Sequence, residues 1–294
     1  MSMIGYYVLT HYDETIKYTS KLIKKYTRKS VQIPETSYNH RTFSFKTVSE
    51  TDDFSPKNIE DIKKIYYTVL NNGWESFTFY CDVEYENCLE DVRTIANSDK
   101  DEYISLINNY VSPYNSYKKY NTLIIGDDEI NLTVDKLYTN DEIERLNNYV
   151  STFLEKNNIR KGNVSKNDIE KIHDHLINII SYDKEFNKET DKETESNKAS
   201  SAIFNKKALC SGYTDAFSIF LDKLNIPNFK INTEEHEWNV IYFNKKWTHI
   251  DVTWDDDEIN KNNNRNFFMI TTKDLFSKDK KDHLFNEELF LELK

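Results

Sequence analysis

One cysteine, one histidine and one aspartate are placed where they could work together. Cys210 lies in Ala208-Leu209-Cys210-Ser211-Gly212-Tyr213, at the opening of a helical pattern. Tyr213, Ala216, Phe217, Phe220 and Leu224 recur on one face, and Asn225-Ile226-Pro227 ends the run. A thiol at a helix start faces unpaired backbone N–H groups and the positive end of the helix dipole. Both favour a thiolate, the nucleophilic form. On position alone the competing reading is an inert core thiol, because free cysteine is among the most buried residue types.

The next segment supplies the partners. Glu237 to Phe243 and Lys246 to Thr253 read as strands around the two-residue turn Asn244-Lys245. A turn centred there sets Phe243 opposite Lys246, Val240 opposite His249, Trp238 opposite Asp251 and His236 opposite Thr253. His236 and Asp251 become diagonal neighbours on one face, ~7–8 Å apart. A carboxylate there accepts an imidazole N–H and fixes the tautomer. The other ring nitrogen is then free to take a thiol proton. A single bulge would turn one of the pair to the opposite face. His249 falls on the same face and rivals His236.

With those residues in view, the chain resembles the transglutaminase-like superfamily, and its bacterial branch in particular. The resemblance rests on three blocks: Ala208-Leu209-Cys210-Ser211-Gly212-Tyr213, His236-Glu237-Trp238-Asn239, and His249-Ile250-Asp251-Val252-Thr253-Trp254-Asp255-Asp256. They stand in the family's order and at its usual spacing. Ile172-His173-Asp174-His175-Leu176 and Ser181-Tyr182-Asp183 are similar to the family's helix before the nucleophile. Asn266-Phe267-Phe268-Met269 and His283 are similar to its closing strand and tail. The resemblance runs from about Ser165 to His283. It implies a papain-like core, with Cys210 as nucleophile, His236 as general base and then acid, and Asp251 as the orienting residue. It favours His236 over His249, because only His236 fits the block. It also implies acyl transfer or hydrolysis on amide bonds of protein or peptide substrates; from the residues themselves we expect no cofactor and no metal. Glu237 departs from the family, where a small residue is common. Trp238 and Trp254 wall the cleft or belong to the core. The competing function is a non-catalytic binding or scaffold protein that keeps such a fold.

The elements around these residues indicate an α+β chain. We expect a mixed α/β N-terminal domain over residues 1–160 and a second domain over 161–294, in which a Cys-bearing helix packs on an antiparallel sheet. In the first part, Ser55-Pro56 opens a helix with Pro at N1. Ser76 to Val83, Thr122 to Gly126 and Ile130 to Val134 read as strands. Tyr103 to Val111 reads as helical, and Asn140 caps a further helix. The polar stretch Asn157 to Ser165 is the boundary, and Ser165 caps the helix that follows. Asp183 to Lys198 reads as a mobile surface loop.

Composition narrows the classes. The chain has 294 residues and a net charge of -11. An acidic chain is a poor partner for nucleic acid, whose affinity comes mostly from phosphate neutralisation. The basic run Lys17 to Lys29 reads as a solvated helix face. No apolar run is long enough to span a bilayer, and no signal peptide is visible at the start. Twenty Tyr, 17 Phe and 4 Trp argue for a packed core. Cys81 and Cys88 could form a disulfide, which suits an extracytoplasmic or cell-surface protein, or remain two thiols, which suits the cytoplasm. His173 and His175 point apart on a helix and make no metal site. Asp255, Asp256, Asp257 and Glu258 read as a solvated acidic turn, since a calcium loop needs a central Gly. Oligomeric state is left open.

Overall fold

A computed structural model of the chain describes residues 30–97, 102–186, 195–256 and 265–294, with isolated positions before residue 30. The lysines and arginine between Lys17 and Lys29 lie outside the described residues, as do Asp257 and Glu258.

The architecture is α+β, with helices packed around two antiparallel sheets. Helix α1 (Ile59–Asn71) is followed by β1 (Ser76–Tyr80), α2 (Cys88–Ala96), α3 (Tyr103–Asn108), β2 (Tyr117–Ile125) and β3 (Glu129–Lys136). These strands form one sheet in the order β1-β3-β2. Helix α1 starts later than Ser55-Pro56 because Asn58 caps it, accepting the Asp61 N–H at 3.1 Å. A disulfide joins Cys81, just past β1, to Cys88 at the start of α2. Helices α4 (Asn140–Lys156) and α5 (Lys166–Ile179) both begin with capping boxes. Thr139, not Asn140, caps α4, because it can exchange hydrogen bonds with Glu142 three residues on.

A short parallel pair, β4 (Ser181–Tyr182) with β5 (Lys207–Ala208), leads into α6 (Cys210–Lys223). Helix α6 packs on the second sheet, of order β6-β7-β8-β9: β6 (Asn228–Asn232), β7 (Glu237–Phe243), β8 (Lys246–Ile250) and β9 (Phe268–Ile270). Asn244 and Lys245 take φ of 50° and 62°, the left-handed pair of a tight hairpin turn. Phe243 pairs with Lys246 and Val240 with His249. The ladder then stops at Asn239 and Ile250, three pairs short of the expected run to His236 and Thr253. Asp251 leaves the hairpin, donating its N–H to the Phe267 carbonyl at 3.0 Å. It caps a one-turn helix, α7 (Val252–Asp255), so Thr253 is helical and faces no strand partner. A last helix, α8 (Thr272–Lys278), follows β9.

Both apolar clusters draw on residues from either side of 160. In one, Ile62, Tyr66, Phe79 and Tyr110 pack with Phe229, Trp238, Phe267 and Phe290. In the other, Leu146 and Val150 of α4 pack with Leu176, Phe217, Phe220 and Ile250. Arg41, buried, reaches Asp222 at 3.1 Å and Asn228 at 2.8 Å, tying the early chain to the end of α6 and the start of β6. No described helix is long and apolar enough to cross a membrane.

The described parts of Asp183 to Lys198 run partly over the surface, where Lys184, Glu185 and Glu195 are exposed, and partly inward. Asp183, Ser196 and Lys198 are buried; residues 187–194 lie outside the described set. The Ser196 carbonyl takes the Leu209 N–H at 2.8 Å, at the foot of α6. A Cβ on Gly212 would stand 2.8 Å from that same carbonyl oxygen and 2.9 Å from the Ala208 Cβ. Glycine is what lets this segment approach the helix. Gly212→Ala is therefore expected to lower stability by about 1–3 kcal/mol, read as a reduced midpoint in urea unfolding. An unchanged midpoint would contradict the close approach.

Candidate active site

Cys210 is the first residue of α6 and is partly exposed. Leu209 before it provides no side-chain cap. The first N–H groups of the helix have no carbonyl one turn back, so they point outward. The thiol opens on a groove of about 840 Å³. Cys210, Ser211, Tyr182 and His236 line one part of it, and Tyr117, Lys119 and Asp135 from the β2–β3 sheet line another.

His236 sits just before β7. A turn fixes its backbone: its N–H donates to Thr233 Oγ1 at 3.0 Å, and its carbonyl accepts the Thr233 N–H at 2.8 Å. Helix and strand are then joined by side chains. Thr214 donates to the Glu237 carbonyl at 3.0 Å, while Asn239 donates to the Thr214 carbonyl at 3.1 Å and to Ser218 at 2.9 Å. These bonds lock the helix bearing Cys210 to the strand bearing His236.

The His236 Nε2–H donates to Asp251 Oδ2 at 2.5 Å. That leaves Nδ1 free, and the Cys210 thiol lines the same groove as His236. Burial works against a charged imidazole here, but Asp251 and then Cys210 outweigh it and lift His236 to about 10. Burial would likewise raise Asp251, yet His236 and then His283 hold it well below the usual carboxylate range. The pairing thus survives the shortened ladder. Asp251 reaches His236 as the cap of α7, with Oδ1 accepting the Trp254 N–H at 3.0 Å.

This pair has a pH consequence. Below the unfolded imidazole value of 6.5, folded and unfolded His236 are both charged, and the stabilisation is fully present. Between there and about 10 only the folded form keeps the proton, so unfolding releases it and stability falls as pH rises. Unfolding free energies measured in urea across this window should fall less steeply for His236→Gln than for the native chain. Equal slopes would contradict the pairing.

Sequence reasoning gave no role to His283. It is fully buried 32 residues past Asp251, and its Nε2–H donates to the same Asp251 Oδ2 at 2.8 Å. Its Nδ1–H donates to Asp279 at 2.8 Å. The sequence marks it only through the resemblance of His283 to the family's tail, which assigns it no role. His249 takes no part in the pair. Its Nδ1 accepts the Trp238 Nε1–H at 3.0 Å, which directs its own Nε2–H to Thr272 at 3.0 Å. Burial, helped by the charge of His283, pushes His249 down to about 3.

Neither tryptophan lines the groove. Trp238 is fully buried and stacks on the His236 ring with centroids 5.7 Å apart. Trp254 meets His236 edge-on at 6.2 Å and is 38% exposed. Glu237, the departure from the family block, is buried with Lys230 at 3.3 Å, and Lys230 also reaches Asp215 at 3.2 Å. Asp255 is no solvated acid: it accepts from His173 Nε2 at 3.1 Å inside the core, and Asp256 accepts the Tyr213 hydroxyl. His175 meets Tyr149 on the other side of α5.

Among the described residues one group could bring metal ligands together: His236, Asp251 and His283, with ligand atoms within 4.8 Å. Their polar atoms are already bonded to one another. A zinc ion with bonds of ~2.0–2.2 Å would have to part the 2.5 Å pair. The chemistry this arrangement supports is proton transfer beside a thiol.

No protein-family model and no curated protein matches the chain. Two solved structures resemble it at low similarity. One, described as a TGase, is 16% identical with a TM-score of 0.34, covering 60% of this chain and 62% of its own. The other, described as a candidate cysteine protease from Cytophaga hutchinsonii, is 12% identical with a TM-score of 0.28, covering 46% and 61%. The chain thus spans about three fifths of each.

Proposed function

We propose that the chain is a transglutaminase-like cysteine acyltransferase or hydrolase acting on amide bonds of proteins or peptides, with Cys210, His236 and Asp251 as its triad. The observation that carries this reading is the His236–Asp251 hydrogen bond beside a thiol at an uncapped helix start. The three sequence blocks support the same assignment.

In this reading Cys210 holds a thiolate and His236 an imidazolium. The sulfur attacks the amide carbonyl, and the Cys210 N–H stabilises the oxyanion. As the S–C bond forms and the C–N bond breaks, His236 Nδ1–H passes its proton to the leaving amine. The neutral imidazole next takes a proton from water or from a second amine, which attacks the thioester and regenerates the thiolate. Water yields hydrolysis or deamidation; a lysine amine yields a crosslink. Asp251 holds the ring throughout. The Cys81–Cys88 disulfide supports an extracytoplasmic setting.

The test incubates the native chain and Cys210→Ala with glutamine peptides, with and without a primary amine. Ammonia release or amine incorporation by the native chain alone supports the proposal, and the balance between them identifies the acceptor. Equal turnover by both chains overturns it.

A further inference from the structure

Resting on the functional reading above, we propose that His283 is a positioning residue, clamped between Asp279 and Asp251, that keeps the Asp251 carboxylate ionised and aimed while His236 gives up its proton. Both ring nitrogens of His283 face carboxylate oxygens, Nε2 on Asp251 Oδ2 and Nδ1 on Asp279 Oδ2, each at 2.8 Å. A ring nitrogen without a proton would set its lone pair against an oxygen lone pair. Both nitrogens therefore donate, and the ring carries a positive charge between two negative ones. Its plane is fixed as well. Phe267 stacks on it at 5.3 Å, while Trp238 and Trp254 meet it edge-on at 4.8 Å and 5.2 Å. The charged and titratable groups facing it are Asp251, Asp279, His236 and, behind Trp238, His249.

The need for such a group follows from the proton balance. Before attack, the Asp251 charge is matched by the His236 imidazolium. Once the leaving amine takes the His236 proton, Asp251 would be an unmatched charge in the buried core, which low-dielectric surroundings strongly disfavour. Asp251 would then gain by drawing a proton or turning away. His283 stays put and charged through this step. The carboxylate remains available to steady His236 as it takes the next proton.

The test follows Cys210 alkylation by iodoacetamide against pH, so it needs no known substrate. His283→Phe, which keeps a ring of similar size, removes a cation from beside the ion pair and so disfavours the thiolate. The profile should move to higher pH by about one unit, with slower labelling at neutral pH. His283→Gln keeps one N–H toward Asp251 and no charge; it should recover the neutral rate in part but keep the pH displacement. Asp279→Asn should displace the profile the same way, more weakly, and it tests the idea even if the phenylalanine variant does not fold. A merely structural role would alter stability and leave the profile in place. Profiles of all three variants that superimpose on the native one, in a chain whose labelling does respond to His236→Ala, overturn this inference alone. A native profile indifferent to His236→Ala overturns the functional reading and this inference with it.

Discussion

Cys210→Ala is expected to lower acyl transfer by about 10⁴-fold or more, the range seen when a nucleophile acting within a triad is removed. The groove, the helix start and the His236–Asp251 pair would all remain, so substrate binding should persist while the covalent step is lost. Stability should change little, because Cys210 is partly exposed and its truncation opens no core cavity. The expected pattern is a collapse in kcat with a native unfolding midpoint. A variant retaining more than about a tenth of native turnover would remove the thiol from the chemistry, since one tenth corresponds to only about 1.4 kcal/mol of barrier.

Asp251→Asn carries the second large effect, about 10⁴-fold in kcat. Asparagine has nearly the same shape and is a good helix cap, so its oxygen can still accept the Trp254 N–H and hold α7. What it removes is charge. Two imidazole N–H groups, from His236 and His283, converge on Asp251 Oδ2. An amide turned to keep its oxygen on Trp254 presents N–H groups to both. The His236 ring loses its anchor and the correct tautomer loses its preference. Turnover should collapse, and the chain should also lose stability because a buried ionic cluster is broken. Near-native kcat in a folded Asp251→Asn chain would show that the carboxylate does not orient the imidazole. Comparison with Cys210→Ala separates the two effects, since only Asp251→Asn should cost stability.

Several parts of this arrangement are legible in the amino-acid order. The buried stripe from Tyr213 to Leu224 marks α6, and the start of that stripe marks Cys210, because helical periodicity repeats locally. The Asn244-Lys245 turn fixes the hairpin register through Val240 and His249, because a two-residue loop leaves little freedom. The end of the ladder is less legible. Extended pairing and an N-capped turn both suit Ile250-Asp251-Val252-Thr253, and the tertiary bond from Asp251 N–H to Phe267 decides between them. His236 meets Asp251 by a route that the flat ladder does not describe.

Other features depend on contacts that sequence spacing does not encode. The polar run from Asp183 to Lys198 has the composition of a surface loop, yet its last residues sit against Gly212, where the missing side chain admits their carbonyls. Asp255 looks solvated in an acidic run, but His173, 82 residues earlier, holds it in the core. Periodicity identifies the buried faces of α1 and α4 without saying what they cover. Helix α4 packs on α6, with Phe153 and Phe220 rings 5.3 Å apart, and α1 shares a cluster that crosses 160 where Tyr110 meets Phe229 with rings 4.8 Å apart. His283 has no periodic pattern at all. Its position comes from β9 and α8 turning the tail back across the sheet.

The account turns on a thiol and an imidazole acting as one ion pair, and alkylation mapped by mass spectrometry tests that most directly. With a limiting amount of iodoacetamide near neutral pH, the native chain should carry the label on Cys210, and His236→Ala should slow that labelling sharply while leaving the fold intact. Labelling of Cys210 at the same rate in both chains, no faster than a free thiol in solution, would contradict it.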